Sequence, residues 1–316
     1  MRPFGPFPKE HSDNGWSLIR PPTRVRPNYH IHILLFLMTV VTTVVAGMWS
    51  FEGLNPLQHP REFYRGLPYA GTLLTILFCH EMGHYLTARY YGMDVTLPYF
   101  LPIPPPLSFL GTLGAFIRMK SPLRHRRALL YVAAAGPIAG FCVALPAVIY
   151  AYATSTVAPI SPSEGSLYFG ESLLLQLVGY LIVGPIPQGF ALHINSVGVA
   201  AWFGILVTML NLLPIGQLDG GHIVHAILGQ KARYVFWPTI GALFIMGMTL
   251  LVRGQSFGIG WFFWAFFGWM TTLRKPTILD QHTPLNRRSK IIAGLALVIF
   301  VLCFMPVPLS LGNIGD

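Results

Sequence analysis

Apolar runs of about twenty residues recur along the chain, and they leave it few folds to adopt. A helix of ~20 apolar residues crosses the roughly 30 Å hydrocarbon core of a bilayer. Inside that core the backbone has no water to bond, so a run of this kind must satisfy its own N–H and C=O groups, as a helix does. Seven runs qualify, at about 31–50, 70–88, 128–152, 195–213, 234–252, 257–273 and 289–308. Only 10% of the residues are charged, where soluble domains carry about 25%. The expected fold is an all-α polytopic membrane protein with about seven transmembrane helices. A basic tail at 1–30, one integral membrane domain at 31–308 and a short external tail at 309–316 complete the plan.

The segments flanking these runs are alternately rich and poor in Lys and Arg. By the positive-inside rule the N-terminus is cytoplasmic and the C-terminus external. The net charge of +10 is thereby accounted for by short loops, and no nucleic-acid partner is expected. A further apolar run, LLLQLVGYLIVG within 170–190, is too short to span and would break the alternation. It reads as interfacial or re-entrant. Cys79, Cys142 and Cys303 lie in apolar segments without CxxC spacing and imply no disulfide framework. The first 30 residues are Pro- and Arg-rich, with neither an apolar core nor a Ser-rich transit composition. A bacterial inner membrane is the expected location.

One run contains chemistry. His80, Glu81 and His84 form an HExxH motif inside TLLTILFCHEMGHYLTARY. A charged group at the bilayer centre costs roughly 2.5–3.5 kcal/mol, so a chain that keeps three ionisable residues there has a use for them. At i and i+4 both imidazoles lie on one helix face, with Glu81 about 100° to the side. That pattern binds zinc through two His and directs a Glu at the water to be activated. Catalytic zinc takes a third protein ligand. Of the eleven acidic residues, only Glu81 and Asp219 are embedded in apolar sequence at matching depth, toward the cytoplasmic ends of the second and fourth spans. Asp219 is therefore the candidate third ligand, with an N-cap for the following helix as its structural alternative. Pro214 should end the fourth helix, and Gly216, Gly220 and Gly221 let the backbone turn there. Asn211 is either an interhelical hydrogen bonder or a donor to a substrate carbonyl or oxyanion. His222 and His225 read as outer partners or surface groups. His193 and Asn195 fall on the opposite side.

These residues resemble a known family. HEMGH at 80–84, AGPIAG at 135–140 and NLLPIGQLDGGH at 211–222 are similar in type, order and spacing to the site-2 proteases, intramembrane zinc metallopeptidases. The segment 98–122, PYFLPIPPPLSFLGTLGAFIRMKSP, is similar to the linker after their HExxH helix in forms without a PDZ domain. The likeness covers about 70–230. It implies one Zn2+ per chain held by His80, His84 and Asp219, Glu81 as catalytic base, and Asn211 assisting the substrate or oxyanion. It also implies hydrolysis of a peptide bond in or near a transmembrane segment of a membrane-anchored protein. No loop has room for a PDZ domain.

A peptide in a helix hides its carbonyls, so the substrate must be extended when cut. Segment 107–119, LSFLGTLGAFIRM, is strand-like, and Gly111 and Gly114 permit close approach. It either offers an edge for substrate strand addition or is a re-entrant loop. The basic cluster Arg118, Lys120, Arg124, Arg126 and Arg127 is read as topological, with contact to anionic headgroups as a compatible use. A metal transporter would spread ionisable groups over several spans, whereas here they concentrate on two.

Overall fold

The computed structural model describes residues 29–160, 167–272, 278–280 and 283–311. Most of the tail expected at 1–30, and residues 312–316 of the external tail, lie outside them. Helices dominate: α1 (Tyr29–Ala46), α2 (Leu67–Tyr90), α3 (Arg126–Thr154), α4 (Leu173–Ile182), α5 (Ser196–Asn211), α6 (Asp219–Leu228), α7 (Arg233–Val252), α8 (Ile259–Thr272) and α9 (Arg287–Cys303). Among the described residues, three helical stretches are long and apolar enough to cross a membrane: Tyr29–Phe51, Arg126–Thr154 and Asp219–Val252. The last is compound, since α6 and α7 are joined through a 3-10 turn at Gly229–Ala232. α2 has 24 residues, but His80, Glu81, His84 and Arg89 make it less apolar than those three.

The all-α expectation needs correction. Among the described residues, short strands pair into four two-stranded sheets. β1 (Tyr99–Pro102) and β2 (Thr112–Phe116) form an antiparallel hairpin; β2 falls in the strand-like segment expected at 107–119, and its partner β1 precedes that segment. β3 (Leu123–His125) pairs in parallel with β7 (Ile278–Asp280). β4 (Thr156–Pro159) pairs with β6 (Phe190–His193), and β5 (Leu167–Phe169) with β8 (Leu309–Leu311). These strands lie in the connections between helices, where backbone groups must find partners outside a helical ladder. α4, with 10 residues, occupies the run expected to be interfacial.

Helix ends follow local chemistry. His125 Nδ1 accepts the Ala128 N–H at 3.0 Å to cap α3. Asn195 Oδ1 accepts the Gly198 N–H at 3.0 Å to cap α5, which gives this residue, expected to be remote from the metal, a structural task. α5 stops at Asn211, before Pro214, as expected.

The centre of the molecule is α2, α3 and α5. Leu73, Leu77, Ala133, Ala134, Ala201 and Phe203 are buried there together. Small residues let these backbones approach, as helices in lipid require. A Cβ on Gly83 of α2 would lie 2.5 Å from the Ala135 carbonyl oxygen of α3. α1 packs outside and steadies the hairpin: His32 Nδ1 donates to the Pro98 carbonyl at 3.0 Å, and Gly111 sits against the Thr42 backbone.

Candidate metal centre

α2 presents His80 and His84 one turn apart, both buried, and α6 begins at Asp219 directly opposite. The Asp219 Oδ2 atom lies 3.5 Å from His80 Nε2 and 3.2 Å from His84 Nε2. The two Nε2 atoms are 3.1 Å apart. All three ligand atoms fall within 4.8 Å of one another. Among the described residues this is the one group of three His, Cys, Asp or Glu placed to hold a metal ion. Asp219 does not cap α6: it is the first residue of that helix, and no side chain caps its N-terminus.

The second imidazole nitrogen settles how one of these groups is used. His84 Nδ1 lies 2.8 Å from the Val132 carbonyl oxygen. A carbonyl can only accept, so Nδ1 carries the proton and Nε2 turns its lone pair toward His80 and Asp219. Two imidazole nitrogens and one carboxylate oxygen are a donor set suited to zinc in sites with three protein ligands. Outer hydrogen bonds of the Val132 kind are what fix such ligands in orientation.

The family follows from the stretch that carries these residues. Residues 68–252 match the family model described as Peptidase family M50. The chain belongs to this family. It is 30% identical over 327 residues to the probable zinc metalloprotease EGY1, chloroplastic, of Arabidopsis thaliana, covering 96% of this chain and 56% of that protein. It is 32% identical over 224 residues to the probable zinc metalloprotease EGY2, chloroplastic, of the same plant, covering 71% of this chain and 38% of the relative. An EGY2 protein of Oryza sativa subsp. indica is 30% identical over 249 residues, with 75% and 42% covered. The chain spans about half the length, or less, of these curated relatives. The site-2 protease resemblance read from the motifs is thereby confirmed.

In this M50 chain the AGPIAG motif of α3 makes room for the HExxH helix. A Cβ on Gly136 would lie 2.1 Å from His84 Nε2, and one on Gly140 would lie 3.2 Å from His80 Nδ1. The loop before α6 is as tightly built. A Cβ on Gly220 would meet the Leu212 carbonyl oxygen at 2.0 Å, and one on Gly221 the Ile215 and Gly216 oxygens at 2.5 Å. The far end of α6 is held too: the Arg126 guanidinium donates to the carbonyls of Ala226 and Ile227. Arg126 thus has a structural task that its place in a topological cluster did not reveal, while the Arg124 side chain lies outside the described residues. Charge-assisted hydrogen bonds contribute about 1.5–3 kcal/mol each. Arg126→Met keeps the stem and removes both. The bond to Ile227 is exposed and contributes less, so the change should lower the unfolding free energy by about 2 kcal/mol, read as several degrees in Tm in detergent, and a Tm within about one degree of wild type would refute this role.

Asn211 lies at the site, its amide nitrogen 3.2 Å from His80 Nε2. Glu81 is buried beside the two imidazoles and near the Ile117 backbone N–H. Sequence reasoning missed that proximity, which brings the end of the β1–β2 hairpin to the motif. His222, one turn along α6 from Asp219, has a buried Nδ1 without a partner among the described residues. Cys79 is partly buried and not a member of the metal-holding group.

Proposed function

We propose that the chain is an intramembrane zinc metalloendopeptidase that hydrolyses a peptide bond in or near a transmembrane segment of a membrane-anchored protein. The observation that carries this reading is the convergence of His80, His84 and Asp219, with Glu81 alongside, inside buried apolar helices. The seven spans are then α1, α2, α3, α5, α7, α8 and α9, with the N-terminus and the active site toward the cytoplasm. The distribution of basic residues supports that orientation. The apolar helices support a membrane location. The curated relatives carry chloroplast names, so the bacterial inner membrane expected from the sequence has no support among them.

His80, His84 and Asp219 would hold one zinc ion. When bound, zinc supplies Lewis-acid polarisation of a peptide carbonyl and makes a water molecule easier to deprotonate. Glu81 takes the water proton on a carboxylate oxygen and passes it to the departing amine nitrogen. Its burial beside the imidazoles holds it in place for that transfer. Asn211 donates its amide N–H to the carbonyl oxygen under attack, where negative charge develops.

The test is Glu81→Gln, assayed against a membrane-anchored substrate and for bound zinc. Rate falls on the order of 10²–10⁴-fold while zinc stays near one per chain. Retained cleavage would overturn the role of Glu81, and metal transport that survives the change would overturn the peptidase reading.

The hairpin supports strand addition as the means of holding the substrate extended. Among the described residues β2 pairs with β1 alone, which leaves its other edge open, and its continuation at Ile117 lies near Glu81. Proline placed singly across 112–117 removes N–H donors from that edge. Cleavage should fall at the positions facing the substrate with zinc content unchanged. Full activity across the scan would mean the substrate is held elsewhere.

A further inference from the structure

A cleft runs between α7 and α9. It consists of a cavity of about 600 Å³ and another of about 910 Å³, and Pro214 and Phe300 line both. The smaller cavity is walled by α6, α7 and α9 and is apolar apart from Ser289 and Lys290 at one end. The Ser289 hydroxyl is already engaged with Tyr131 and Asn286, so Lys290 is the polar group that end presents. The larger cavity continues toward Glu171 and Gln176 beside α4.

The Lys290 end is rimmed by charge of one sign. Arg287 and Arg288 precede Lys290 in the first turn of α9. Val235, in the first turn of α7, lines the facing wall, which places Lys231 and Arg233 at the same end. All five cations are exposed, and none is in an ion pair among the described residues. Asp280, the acid closest in sequence to Arg287, accepts hydrogen bonds from the Thr283 N–H and hydroxyl.

We propose that this cleft is a binding site for an anionic phospholipid, with an acyl chain in the smaller cavity and the phosphate among the cations around Lys290. The cavity dimensions favour a chain over a helix. A helix with its side chains is about 10–12 Å across, so ~600 Å³ holds little more than one turn of it, while an extended hydrocarbon fits. An acyl chain gains little on leaving other acyl chains for an apolar cleft, because lipid tails are as apolar as Leu. Selection among lipids therefore falls to the headgroup, and each Lys or Arg near it favours the anionic one. The inner wall includes Leu212 and Gly220, the chain neighbours of Asn211 and Asp219, so a resident lipid braces the loop that carries them. The inference depends on membrane embedding and not on the peptidase reading.

Native mass spectrometry of the full chain in detergent, titrated with phosphatidylglycerol or with phosphatidylcholine of the same acyl composition, tests it. Wild type should prefer phosphatidylglycerol on the order of tenfold. Lys290→Glu should bring the two lipids level. Gly294→Leu gives the sharper test. Gly294 lines the cleft, and a Cβ there meets no atom within 4 Å. A side chain there starts from open space and takes up part of the apolar cavity, so the variant should fold and bind both lipids more weakly. Equal binding of the two lipids by wild type would overturn the proposal, as would undiminished phosphatidylglycerol binding by folded Gly294→Leu. Capture of a substrate transmembrane segment, and not lipid, by a photoreactive residue at 294 would also overturn it.

Discussion

Gly136→Ala should abolish zinc binding and proteolysis together, although one methyl group is the whole change and residue 136 is neither a proposed ligand nor a base. The added Cβ would lie 2.1 Å from His84 Nε2, 2.4 Å from Cε1 and 2.5 Å from Cδ2. His84 has no simple retreat. Its Nδ1 is fixed 2.8 Å from the Val132 carbonyl, and the helices cannot slide freely because Gly83 of α2 rests against the Ala135 carbonyl. Either the imidazole swings away or α2 and α3 part, and a displacement of about 1 Å at a reacting group costs ~10²-fold. A graded series separates this steric account from a general dislike of substitution in α3. At Gly140 the added Cβ meets His80 Cβ and Nδ1 at 3.2 Å, so Gly140→Ala should reduce activity by less than about tenfold, since overpacking of this size costs about 1 kcal/mol. Gly71, on α2 with open space around it, should accept Ala without loss and with a gain in stability of about 0.5–1 kcal/mol. Zinc per chain and Tm, measured on all three, check the order. Gly136→Ala with wild-type zinc would refute the packing argument.

The contrast between Gly136 and His84 also shows what one sequence discloses. HExxH is legible because its chemistry is local: four residues of helix bring two imidazoles to one face. Asp219 is legible for a different reason, the cost of an acid in apolar sequence. The helices could be placed from apolar length and from breakers such as Pro214, and α5 does stop at Asn211. Gly136 was visible as part of AGPIAG, yet its task depends on which residue of another helix faces it, and no periodicity within α3 encodes that. Arg126 was hidden the same way. In a loop rich in cations it reads as topology, and only the fold brings it to the carbonyls of α6, a hundred residues on. Apart from the β1–β2 hairpin, the small sheets were illegible because strands of three or four residues in connecting segments are defined by partners far along the chain, as Leu167–Phe169 is by Leu309–Leu311. Ile117 is the case with consequences for chemistry, since a backbone N–H has no sequence signature and its place near Glu81 appears only once the hairpin is folded.

Asp219→Ala should reduce zinc occupancy by at least a hundredfold in affinity and eliminate cleavage. Removal of the carboxylate leaves two imidazole nitrogens 3.1 Å apart as the remaining donors, and two His ligands on one helix are one short of the usual protein set. Asp219→Asn keeps the shape and one carbonyl oxygen but loses the charge, so it should fall between wild type and Ala. The neighbouring groups make the experiment discriminating. Glu81 is the other carboxylate beside the imidazoles, but it is not in the metal-holding group and is assigned to the proton transfer. His222 is the alternative to fear, being one helical turn from Asp219 with an Nδ1 that has no partner among the described residues. If Asp219→Ala retained zinc, Asp219→Ala/His222→Ala would show whether His222 had taken the third position. Loss only in the double variant would mean that α6, and not Asp219 alone, supplies the ligand. Full zinc in both would remove α6 from the centre and with it the proposed role of the 211–222 loop. Loss in the single variant, with Glu81→Gln still loaded, assigns holding the metal to His80, His84 and Asp219 and moving the proton to Glu81.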